Sequence, residues 1–130
     1  MADQAALQDK YASVGQAISD FAEYGAKIDG IFMDGDKLVL KAEVPSKVVG
    51  NRAWDATKAV DPNYPDFELQ LTQTGGDAQP YTIKAGDNLS KVSKLFYGDA
   101  NHYQAIAEAN GIDNPDHIQV GQEIQVPALA

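Results

Sequence analysis

The stretch TGGDAQP at residues 74–80 constrains this chain more than any other feature. Two glycines, a proline and small polar residues interrupt the apolar pattern, which resumes beyond them in a different order. The sequence therefore predicts two small α+β units, residues 1–73 and 81–130, lying close together across a linker at 74–80. The 130 residues leave room for one ordinary domain or two very small ones. The chain has no cysteine, so packing must hold each unit without disulfides or thiolate-bound metal.

In the first unit Leu7, Tyr11, Val14, Ile18 and Phe21 recur at spacings of four and three, one apolar stripe on a helix. Gly15 lies inside the stripe, and Gly25 is placed to end it. Strands are predicted at Ile28–Met33 and Lys37–Val44, joined through Asp34-Gly35-Asp36, a hairpin signal. Along the second strand Leu38, Leu40, Ala42 and Val44 share one face, with Lys41 and Glu43 on the other. Pro45-Ser46 starts a helix with Val49, Ala53, Ala56 and Val60 on one side, and Asp61-Pro62 ends it. Phe67, Leu69 and Leu71 then alternate with polar neighbours. The order is α-β-β-α-β, a three-stranded sheet with helices on one face.

The second unit reads β-α-α-β. A strand is predicted at Tyr81–Lys84, a helix over 88–97 carrying Leu89, Val92 and Phe96, and a second over about 102–110 with Tyr103, Ile106 and Ala107. Asn110-Gly111 closes the latter, and a last strand at Glu123–Val126 stops at Pro127. First and last strand should pair. Between them, Gly86-Asp87 opens a helix, a place where phosphate can bind. From Gly86 the pattern G-x-x-x-x-G-K-[ST] fails, as does a dinucleotide fingerprint. The expectation is a tight turn at Gly86 with the Asp87 carboxylate capping the helix.

Nineteen acidic residues against ten basic give a net charge of −9, which argues against nucleic acid and anionic membranes. A cation, a neutral sugar or a basic protein is better matched. No apolar run approaches the ~18 residues of a membrane span, and the start MADQAALQDK has no leader pattern. With Met1 as the native start the expectation is a cytoplasmic protein; with a signal peptide removed, a periplasmic or wall protein. His102 and His117 form no ligand pair, the serines have no G-x-S-x-G context, and Asp34 and Asp36 belong to the hairpin turn. Trp54 is expected at a core edge. The pattern points to no enzyme.

Tyr81-Thr82-Ile83, Gly86-Asp87-x-Leu89-Ser90, Tyr97-Gly98, Ile106, Asn110, Asn114-Pro115-Asp116-x-Ile118, Gly121-Gln122 and Ile124-x-Val126-Pro127 resemble, in order, the pattern of a LysM domain over residues 81–127. The resemblance implies binding of N-acetylglucosamine-containing glycans such as peptidoglycan. The implied groove sets Gly86, Asp87, Asn88 and Leu89 against Ile112, Asn114, Pro115, Asp116 and Ile118.

The α-β-β-α-β order, with Asp34-Gly35-Asp36-Lys37-Leu38-Val39-Leu40, resembles a BON domain. A BON–LysM layout without a leader is similar to that of bacterial potassium-binding proteins. It implies a non-catalytic protein that binds K+, a monovalent cation, and responds in conformation. Potassium is often ligated by backbone carbonyls, so a site would leave no side-chain pattern.

Overall fold

The computed structural model describes residues 3–115 and 117–129. The first unit opens with α1 (Gln4–Lys10) and α2 (Ala12–Ser19), followed by a 3-10 turn at Ala22–Tyr24. The single predicted helix is thus interrupted. Tyr11, at φ −105° and ψ 18°, separates the two segments. Its hydroxyl donates to Asp66 and its ring stacks on Phe67 at 4.2 Å, ties to the far end of the unit that fix it at the break. The stripe itself is real, since Leu7, Tyr11, Val14, Ile18 and Phe21 are all buried. Gly25, in the left-handed region at φ 109°, ends the 3-10 turn.

Strands β1 (Lys27–Asp34) and β2 (Lys37–Val44) form the predicted antiparallel hairpin. Helix α3 (Lys47–Val60) then crosses to β3 (Phe67–Gln73), which pairs in parallel with β2. The Ser46 hydroxyl accepts from the Val49 N–H at 3.2 Å and caps α3. Leu38, Leu40, Ala42 and Val44 of β2 are buried with Phe67 and Leu69 of β3, beneath the helices.

The second unit comprises β4 (Gln79–Thr82), α4 (Leu89–Tyr97), a 3-10 turn at Ala100–His102, α5 (Tyr103–Ala109) and β5 (Glu123–Val126). The first and last strands pair antiparallel, as expected. β4 begins and ends two residues before the predicted Tyr81–Lys84. Pro80 is admissible in a two-stranded sheet, where every strand is an edge. Beyond Thr82, Ile83 still bonds across, donating to Gln122 O at 2.9 Å and accepting from Gly121 N at 2.8 Å. Asn110 ties α5 to β5: its Nδ2 donates to the Ile106 and Gln125 carbonyls at 2.7 Å each, and its Oδ1 accepts from Gln125 N at 2.8 Å.

The two units share one core. Phe21 of the first stacks on Phe96 of α4 at 5.5 Å, and Tyr24 meets Phe96 at 5.4 Å and Tyr81 at 6.1 Å. Tyr81 and Phe96 meet edge to face at 5.6 Å. Each such pair contributes roughly 0.5–1.5 kcal/mol beyond the area it buries. Glu23 and Lys84 add an ion pair at 3.5 Å across the boundary, exposed and so worth little. The connecting segment is also docked: Thr74 N donates to Val44 O at 2.9 Å, and a Cβ at Gly75 would lie 2.3 Å from the Pro45 carbonyl oxygen.

Candidate functional site

The turn before α4 is built around Gly86, whose φ of 86° suits glycine and whose Cβ position is open space. Asp87 is not the cap that was expected. Its carboxylate turns back to accept from Tyr81 Oη at 2.5 Å and from the Lys84 N–H at 2.8 Å. The cap is Asn88, one position later, whose Oδ1 accepts from the Lys91 N–H at 2.8 Å. The swap follows from geometry: Asn88 holds the extended backbone of a cap position, whereas Asp87 lies within reach of the Tyr81 phenol. Burial, together with the Asp87 hydrogen bond and charge, pushes the Tyr81 phenol well above its ordinary range. It stays a neutral donor and fixes Asp87.

Opposite this turn, the loop after α5 brings Pro115 to the same depression as Asn88 and Leu89. The depression holds about 420 Å3 and is walled further by Ser90, Tyr103 and Gln104. Those three were missed in the sequence, although the apolar placing of Tyr103 on α5 was visible. Leu89 is buried in the core and closes the floor rather than presenting an exposed face. Gly86 and Asp87 support the turn, and the Gly86 carbonyl accepts from Lys91 Nζ at 3.0 Å. Ile112 and Ile118 are half-buried against the core. Asn114 is exposed, its amide 3.3 Å from His117 Nε2, and its carbonyl accepts from His117 N at 2.9 Å. Asp116 lies outside the described residues. The depression offers an aromatic ring, a proline and amide groups, a set that can hold a neutral polar ligand such as a sugar.

His102 stands 3.6 Å from Asp99 and edge-on to the Tyr97 ring, far in the chain from the Asn114–His117 contact. Among the described residues no group of three or more His, Cys, Asp or Glu could hold a metal ion. A site for K+ made of backbone carbonyls would need no such group. No helix among these residues is long and apolar enough to cross a membrane.

The second unit defines the class: the LysM domain family matches residues 81–127. The chain carries a LysM domain and resembles the potassium binding protein Kbp of Escherichia coli, 48% identical over 64 residues. That match covers 48% of this chain and 43% of Kbp. An uncharacterised protein of Deinococcus radiodurans is 51% identical over 47 residues, 36% of this chain and 19% of that protein. The N-acetylmuramoyl-L-alanine amidase XlyB of Bacillus subtilis is 27% identical over 88 residues, 66% of this chain and 27% of the amidase. The chain spans less than half the length of each of these relatives.

Proposed function

We propose that this chain is a non-catalytic binding protein of the cytoplasm that takes up K+ and changes the arrangement of its two units when the ion is bound. The observation that carries the reading is the reach of the similarity to Kbp. It runs over 64 residues, more than the LysM span of 81–127 can hold, so it takes in part of the chain outside that domain. Two physical features support it. A net charge of −9 favours the approach of a cation. The shared aromatic core at Phe21, Tyr24, Tyr81 and Phe96 couples a change in one unit to the other. Amide NMR spectra in KCl and NaCl at equal ionic strength test the reading. A specific site shifts a cluster of amides in KCl alone, because screening acts alike in both salts. Identical spectra remove it.

A second reading rests on the depression at Asn88, Tyr103, Gln104 and Pro115, which supports binding of an N-acetylglucosamine-containing glycan such as peptidoglycan. Sugar rings stack on aromatic faces, and acetamido groups take amide partners. A single shallow module binds weakly, since tight capture needs several acting together. Under this reading Tyr103→Ala reduces retention on insoluble peptidoglycan several-fold without loss of cooperative unfolding. Equal retention of both proteins counts against a role for the depression.

A further inference from the structure

A separate and larger cleft, about 570 Å3, lies between α3 and the C-terminal end of α4. Its volume is within the range of about 300–1,000 Å3 typical of small-molecule sites. Its lining combines aromatic and apolar residues, Trp54, Tyr64, Tyr97 and Leu129, with the cations Arg52 and Lys58. Asp55 is the one carboxylate among the lining residues.

Three features mark this cleft as built for a ligand. First, the Nε of Arg52 is buried and has no hydrogen-bond partner among the described residues, nor does Arg52 form an ion pair among them. A buried donor left without an acceptor calls for an explanation, and a guanidinium fork matches a planar carboxylate. Second, the guanidinium lies against the glycine that ends α4. A Cβ at Gly98 would fall 2.5 Å from Nη1, so this glycine, at φ 77°, makes room for it. Third, Tyr64 has a φ of 31°, a conformation uncommon for any residue but glycine. In that conformation its ring meets Trp54 at 5.8 Å along the cleft wall.

We infer that the cleft binds a small organic carboxylate with an aromatic body. The Arg52 fork takes the carboxylate, Lys58 adds charge, and Trp54, Tyr64 and Leu129 surround the ring. The walls come from both units, so the bound ligand also holds the units together.

The probe is phenylacetate, titrated into the intact protein and followed by emission of Trp54, the sole tryptophan. The expected result is a saturable change, at least tenfold weaker for 2-phenylethanol, which lacks the carboxylate, and at least tenfold weaker in Arg52→Gln. An unsaturable change overturns the inference, as does equal binding by the Arg52→Gln protein. Tighter binding of phenyl phosphate overturns the assignment to a carboxylate. Should Arg52→Gln fail to fold, amide shifts in the parent protein decide. Saturable shifts gathered at Arg52, Trp54 and Gly98 support the site, and shifts gathered at Asn88 and Pro115 refute it.

Discussion

Phe21→Ala tests whether the two units are energetically one body. Phe21 belongs to the first unit, is 2% exposed, and stacks on the fully buried Phe96 of the second at 5.5 Å. Truncating a buried phenylalanine costs about 3–5 kcal/mol, the lost transfer free energy plus the cavity left behind. With the entropy of unfolding of a chain this size, that is a fall in Tm of roughly 10 °C or more. The location of the loss is the sharper test. Native-state hydrogen exchange reads the amides of β4 and β5, such as Tyr81 and Gln125, separately from those of β2 and β3. In a shared core both sets lose protection, because the cavity opens against Phe96 and Tyr24 alike. If β2 and β3 lose protection while β4 and β5 keep theirs, the units are independent and the reasoning from the aromatic cluster is wrong.

Gly15→Ala should raise stability by about 1 kcal/mol, since α2 gains helix propensity and the new Cβ meets only Ile28 Cδ1 at an ordinary 3.8 Å; a lower midpoint in urea would contradict this. Asn110→Ala removes three side-chain hydrogen bonds, two of them joining α5 to β5, and should cost about 2–3 kcal/mol by chemical denaturation, with exchange fastest at Gln125. The Tyr11–Asp66–Lys10 cluster contributes to both pH limbs, the alkaline one shared with Tyr97, whose phenol burial pushes up to about 12. The hydrogen bond from Tyr11 holds the Asp66 carboxyl below its usual value, so its contribution is present above the unfolded pKa and lost as pH falls through the folded one. Burial and Asp66 push the Tyr11 phenol up to about 12, so stability also declines between about pH 10 and 12, where the unfolded phenol ionises first. Tyr11→Phe should reduce the slope of both limbs of the stability–pH curve, and unchanged slopes would exclude the cluster as a contributor.

Local chemistry was the legible part of this fold. The Gly35 turn, the Ser46 cap, the Asp61-Pro62 stop and the Pro127 stop each rest on residues adjacent in sequence, and each element they bound is present. What escaped depends on partners distant in the chain. The break at Tyr11 is fixed by Asp66 and Phe67, which no helical periodicity reports. Asp87 and Asn88 are both good caps by composition, and only the position of the Tyr81 hydroxyl draws Asp87 away. In the depression, Asn88, Leu89 and Pro115 were expected, whereas Ser90, Tyr103 and Gln104 arrive because α5 packs beside the start of α4. The joining of the two cores was equally hidden. Phe21 looks like the end of an ordinary stripe until Phe96 closes over it, with Tyr24 and Tyr81 alongside.

Thermal unfolding across a potassium titration tests the proposed function most directly, with NaCl exchanged for KCl at constant ionic strength. An ion that binds only the folded chain stabilises it by mass action, about 2.7 kcal/mol at a hundred times its Kd. The account predicts a Tm that climbs steadily with the logarithm of KCl concentration, seen equally by Trp54 emission and by the amides of β4 and β5, since one core joins them. A Tm that is the same in KCl and NaCl throughout would contradict potassium binding.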